Sequence, residues 1–102
     1  MESGTEARLR GRPLRWVLLL ALADSWHPMT VPELLVEVER RGFVVHGRSS
    51  KSVSDALRWE VRRGRVVRVA RSTYKIGYLA SSTAWWVRQQ VRGLPMSVDP
   101  TL

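Results

Sequence analysis

Residues 49–77, SSKSVSDALRWEVRRGRVVRVARSTYKIG, change periodicity once, and that change limits the folds open to the chain. In the first half Val53, Ala56, Leu57 and Val61 recur at helical spacing and form one apolar stripe. Lys51, Ser54, Asp55, Arg58, Trp59 and Arg62 fall on the opposite face. Ser49 or Ser50 suits the helix start, because a hydroxyl there accepts an otherwise free backbone N–H. Gly64 follows the last charged turn and fits a left-handed position just past the helix end. In the second half Arg65-Val66-Val67-Arg68-Val69 is β-rich and Arg71-Ser72 makes a polar tip. Thr73-Tyr74-Lys75-Ile76 then returns, with Tyr74 and Ile76 on one face and Lys75 on the other. The expectation is a helix, a tight glycine turn and a short β-hairpin.

This stretch also holds most of the net charge, which is +8 for the whole chain of 102 residues. From Arg48 to Lys75 the basic residues are Arg48, Lys51, Arg58, Arg62, Arg63, Arg65, Arg68, Arg71 and Lys75, against two acids, Asp55 and Glu60. A basic helix followed by a basic hairpin is the order of a winged helix-turn-helix. In that module the second helix enters the major groove, and its early residues lie near base edges. Lys51, Ser54, Asp55, Arg58 and Arg62 are therefore expected to face the groove. Arg58 is the expected base contact, since Arg pairs bidentately with guanine. Arg65, Arg68, Arg71 and Lys75 would hold phosphates through the wing, with Arg48 and Arg63 flanking the site.

The remaining segments fit around this unit. Residues 1–11 are expected to be a flexible basic arm, either a solvated tail or a phosphate contact. A first helix is predicted from about Pro13 to Ser25, with Pro in a position that wastes no N–H. Trp16 to Ala23 is apolar nearly all round, so this helix should be the most buried. Trp26-His27-Pro28 should end it, because the residue before Pro disfavours helix. Thr30-Val31-Pro32-Glu33 reads as a capping box opening a second helix. Val31, Leu34, Leu35 and Val38 form its core stripe, and Glu37 and Arg41 make an i,i+4 pair worth roughly 0.2–0.5 kcal/mol. Gly42 stops it, and Glu33, Glu37 and Glu39 give it an acidic outer face. Phe43-Val44-Val45 is a strand or a plug over the core.

After the wing, Ser81-Ser82-Thr83 signals another helix start, with a short helix running to about Arg92 and Gly93 as its stop. Adjacent Trp85 and Trp86 point about 100° apart on a helix. Together with Arg88, they belong either to a clamp on the first helix or to a dimer or partner interface. Trp59 lies off the core stripe; it either caps the hydrophobic edge or offers a contact surface. Glu60 is expected to pair with a neighbouring Arg.

Other classes fit poorly. There is no Cys, hence no disulfide framework or zinc-finger spacing. His27 and His46 lack companion ligands, so no metal is expected. No nucleophile, acid–base pair or cofactor motif assembles, so an enzyme with a small-molecule substrate or a cofactor is not expected. Arg8, Arg10, Arg12 and Arg15 before an apolar run ending Ala21-Leu22-Ala23 mimic a secretion signal. The run is short for that purpose, and far short of the ~20 apolar residues that span a bilayer. A cytoplasmic, nucleoid-associated location without membrane contact is expected. RNA binding is weaker, since no aromatic sheet platform is visible.

His27 to Gly77 resembles the HARE-type winged helix-turn-helix family. The likeness is carried by Pro28-Met29-Thr30 leading into the Glu33-containing helix, then Arg41-Gly42-Phe43. It continues in Ser52-Val53-Ser54, Ala56-Leu57 and Val61-Arg62-Arg63-Gly64, and in a wing at Val67-Arg68-Val69-Ala70-Arg71-Ser72-Thr73-Tyr74. More distantly the chain is similar to the globular domain of linker histones. The resemblance implies a module that binds duplex DNA, while some members of the family bind proteins instead. The expected fold is thus mainly α with a small β-hairpin: a winged helix-turn-helix at residues 12–78, with a three-helix core and a two-stranded wing. A C-terminal helix at 79–93 and a loose tail at 94–102 complete it. The expected function is double-stranded DNA binding by a small transcriptional regulator or nucleoid-associated protein, with homodimerisation open. The rival is a protein-interaction module using the tryptophan-bearing C-terminal helix.

Overall fold

Helix α1 (Gly11–Ala23) is apolar on nearly every side, and the rest of the chain is wrapped around it. Leu14 and Val17 to Leu22 are all buried, and α1 touches α2 (Val31–Arg40), α3 (Ser49–Arg62), strand β5 (Thr73–Ile76) and α4 (Ser81–Arg92). The computed structural model describes residues 8–25 and 27–95 and shows four helices with a small antiparallel sheet. Trp26, residues 1–7 and residues 96–102 lie outside the described residues, and with them most of the expected arm and tail.

The arm expected at residues 1–11 ends earlier than its composition suggests. Strand β1 (Arg8–Leu9) pairs in parallel with β3 (Val44–Val45), and the His46 N–H donates to the Leu9 carbonyl at 2.7 Å. Leu9 is buried in the core beside Phe43 and Val45, so Phe43–Val45 is both a short strand and a core plug. A single leucine among arginines gives no periodic signal, which is why the sequence hides this pairing. Helix α1 accordingly starts at Gly11, leaving Pro13 in its first turn, and ends at Ala23 with Asp24 as its cap.

Helix α2 begins as its sequence directs. The Thr30 hydroxyl accepts from the Glu33 N–H at 3.3 Å, and the Thr30 N–H donates to the Glu33 carboxylate at 2.8 Å. Arg41 donates to Glu37 at 2.9 Å, as the spacing predicts. Val31, Leu34 and Val38 are buried, and Leu35 packs at the core margin. Helix α3 starts differently from the expectation. Arg48 is its N-cap and makes no side-chain cap, while Ser49 and Ser50 already lie within the first turn. Ser52 instead donates to the His46 carbonyl at 2.9 Å and ties down the preceding loop. Gly64 does take the left-handed conformation, at φ 76°.

The hairpin of β4 (Val66–Ala70) and β5 is extended to three strands by β2 (Met29–Thr30), in the order β2-β5-β4. The hairpin expected as two-stranded is thus part of a three-stranded sheet with β5 in the middle. Val66 and Tyr74 are its buried residues. Gly77 closes the hairpin against the α3–β4 turn: its N–H donates to the Arg65 carbonyl at 2.7 Å, and the next N–H reaches the Gly64 carbonyl at 3.2 Å. A Cβ at position 77 would sit 2.6 Å from the Gly64 carbonyl oxygen. Gly77→Ala is therefore expected to destabilise the fold by about 2 kcal/mol through backbone displacement. A denaturant midpoint unchanged from wild type would contradict this.

Helix α4 clamps α1. Val87 is buried, and Trp86 meets Trp16 edge-to-face, with centroids 5.4 Å apart. The Arg88 guanidinium donates to Asp24 at 3.1 Å, and Arg41 reaches the same carboxylate at 3.2 Å. Partial burial would raise the Asp24 carboxyl, but the hydrogen bonds from Arg88 and Arg41 outweigh it and hold the group below its ordinary value. Helix α4 opens at Ala80 without a side-chain cap, and Leu94 packs against the core margin. Among the described residues no helix is long and apolar enough to cross a membrane.

Candidate nucleic-acid interface

Helix α3 presents two different flanks. Val53, Leu57 and Glu60 point inward. On one side, helical spacing brings Ser54, Arg58 and Val61 toward the hairpin. Antiparallel pairing sets Arg68 opposite Tyr74, and directly opposed residues share a sheet face. Arg68 therefore lies on the face that Tyr74 turns toward the helix. The two elements enclose a groove of about 300 Å³ lined by Ser54, Arg58, Val61, Arg68, Arg71, Ser72 and Tyr74. Four residues expected to contact DNA, Ser54, Arg58, Arg68 and Arg71, are brought together here from sites up to seventeen positions apart.

Lys51 and Asp55 do not line this groove but are linked to it through Arg58. Lys51 donates to the Asp55 carboxylate at 2.9 Å, and Arg58 donates to the same carboxylate at 3.3 Å. The Lys51 hydrogen bond, with the charges of Lys51 and Arg58 behind it, holds the Asp55 carboxyl below its ordinary value. Asp55 is thus an ionised acceptor that sets the direction of two cations. Arg62 is exposed one turn beyond Arg58 on the same flank, and Arg48 is exposed beside the start of the helix.

Three expected contacts lie elsewhere. Arg65 turns inward, donating from Nε to Glu60 at 2.6 Å. Glu60, 1% exposed, also takes Arg15 Nε at 3.2 Å. Burying a carboxylate requires such partners, and this requirement draws Arg65 away from the hairpin surface. Arg63 is on the opposite flank, its guanidinium 4.9 Å from the centroid of the Trp59 ring. Lys75 pairs with Val67, which puts it on the sheet face turned away from the groove.

The tryptophans divide as well. Trp59 is 40% exposed, and Arg15 and Arg63 both lie over its ring. Trp86 and Arg88, read as either a clamp on the first helix or an interface, make contacts within the chain to Trp16 and Asp24, as the clamp requires. Trp85, on the far side of α4, is 64% exposed, and Tyr78 is 78% exposed. Among the described residues no three His, Cys, Asp or Glu side chains are grouped as metal ligands would be.

Sequence reasoning missed Ser72 and Tyr74 as groove walls. The two-residue tip at Arg71-Ser72 alone would set Arg68 opposite Lys75; a register shift between Arg68 and Ala70 sets it opposite Tyr74 instead, and nothing in the local alternation signals that shift. Ser72 takes a left-handed φ of 57° at that tip, and its carbonyl accepts from the Val31 N–H at 3.1 Å, which ties the tip to the start of α2. In comparisons with known proteins the chain matches no family model, no curated protein and no solved structure, so what this surface does is argued from its own geometry.

Proposed function

We propose that this chain is a winged helix-turn-helix module that binds double-stranded DNA, in the manner of a small transcriptional regulator or nucleoid-associated protein. Helix α2 and helix α3 are the helix-turn-helix pair, α3 lies in the major groove, and the β4–β5 hairpin follows the phosphate backbone. The observation that carries this reading is the convergence of Arg58, Arg68 and Arg71 on one groove between a helix flank and a hairpin. A guanidinium on the helix suits a base edge, and two on the hairpin suit phosphates. The acidic side chains Glu33, Glu37 and Glu39 belong to α2 and none lines that groove. The resemblance of residues 27–77 to HARE-type modules supports the same reading.

The test is equilibrium binding to a labelled random-sequence duplex across a salt series. Four or five phosphate contacts correspond to a slope of log K against log salt of about −4. No binding at low salt would remove the proposal.

A further inference from the structure

The flank of α3 turned away from the hairpin closes a second pocket that duplex binding does not use. It lies where α1, α3 and α4 meet and encloses about 320 Å³. Trp16, Trp59 and Trp86 line it, three of the five tryptophans in the chain. So do Arg12, Arg15, Arg63 and Arg65, with Glu60 as the acid among them.

Three properties define what this pocket accepts. First, its aromatic walls are fixed: Trp16 and Trp86 meet at 85°, and Trp59 is held under the guanidinium groups of Arg15 and Arg63 at 4.8 and 4.9 Å. Second, the Glu60 carboxylate is already satisfied, one oxygen by Arg65 and the other by Arg15, so four cations face one neutralised acid. Third, Arg12 and Arg63 have no carboxylate partner among the described residues. A packing seam between helices would bring apolar side chains together. Leu19 and Val87 line this pocket as they would such a seam, but beside them it sets flat π-surfaces against guanidinium groups without a carboxylate partner, the combination that receives a planar ring bearing an anion.

We propose that this pocket binds a nucleotide, its base stacked against the indole–guanidinium layer at Trp59 and its phosphate held by Arg12 and Arg63. The volume is at the small end of ligand sites, about 300 Å³ upward, and suits one nucleotide unit. Stacking on tryptophan is tolerant of base identity because every base has a π-face. The unit is supplied either as a free nucleotide or as an unpaired residue of a strand; the chemistry of recognition is the same.

The experiment uses the intact chain in calorimetric titrations with AMP, adenosine, inorganic phosphate and a single-stranded (dA)6. AMP is expected to bind, with adenosine and inorganic phosphate each about tenfold weaker or worse, since each lacks one half of the site. Trp59→Leu and Arg63→Ala, both at exposed positions, should each weaken AMP binding by about tenfold while leaving the melting temperature and duplex affinity near wild type. The Arg58→Ala/Arg68→Ala/Arg71→Ala variant should bind AMP as wild type does, so this site and the duplex site succeed or fail separately. Tighter binding of (dA)6 than of AMP identifies a strand as the source; equal binding identifies the free nucleotide. Absence of heat with both AMP and (dA)6 at millimolar concentration would overturn the proposal. So would inorganic phosphate binding as well as AMP, or Trp59→Leu leaving AMP affinity unchanged.

Discussion

Replacing Arg58, Arg68 and Arg71 together with alanine is expected to weaken binding to a random duplex by about a hundredfold at fixed moderate salt. It should also flatten the salt slope by up to about 2.7, about 0.9 for each phosphate contact removed. The two readouts separate charge from shape. Arg58 is expected to contribute partly through a base edge, so its removal should lower affinity more than it lowers the slope, whereas Arg68 and Arg71 should move both together. The fold should be untouched. Arg58 is exposed, and its pair with Asp55 is a surface contact of little weight. Arg63→Ala is the matched control, because it removes the same charge from the other flank of the same helix. A triple variant with the wild-type slope, measured by anisotropy on the same duplex, would place the duplex site elsewhere.

The second large effect is expected at Glu60. Truncating a buried carboxylate that holds two cations costs about 3–5 kcal/mol where the partners are fully buried. Here the Arg15 and Arg65 side chains keep 21% and 32% of their exposure and recover some hydration, so Glu60→Ala is expected to cost about 2–3 kcal/mol. For a domain of this size that lowers the melting temperature by about 10–20 °C. Glu60→Gln retains the shape and an acceptor, and should cost about half as much. The effect should extend to duplex binding. The Glu60 carbonyl accepts from the Arg63 and Arg65 N–H groups, and its carboxylate grips Arg65, so one residue fixes the angle at which the hairpin leaves α3. Thermal melts and duplex titrations of the two variants check this; a Glu60→Ala protein melting within 2–3 °C of wild type would show that the pair is dispensable.

The parts of the fold that were legible in the sequence are those written in neighbouring residues. The Thr30–Glu33 box, the Val31-Leu34-Val38 stripe, the Gly64 turn and the alternation at Tyr74-Lys75-Ile76 each specify their geometry within a few positions. Burial of α1 was equally plain from its unbroken apolar run. What stayed hidden depends on partners far along the chain. Leu9 enters the core only because Val44–Val45 offers a strand edge, and Met29–Thr30 becomes a strand only because β5 does. The candidate site divides in the same way. Arg58, Arg68 and Arg71 were placed by local periodicity. Arg65 was misplaced, because strand alternation does not reveal a buried carboxylate five residues earlier that takes up its charge. Arg15 reaches that carboxylate from forty-five positions away, a pairing that no spacing rule contains.

The packing of α2, α3, β5 and α4 against α1 also bears on how the chain is made. During synthesis α1 emerges first, apolar on nearly every side, and its covers follow in order: α2, α3, the hairpin and finally α4. Leu18, Leu19 and Leu22 are completely enclosed in the finished molecule, and α4 lies more than fifty residues downstream of them. Docking that awaits such distant segments raises the contact order and leaves one side of the most apolar segment uncovered until α4 has been made. A nascent chain is thus expected to be most prone to aggregation just before Trp86 and Val87 emerge, so a chain cut before α4 should be recovered in lower soluble yield than one that includes it.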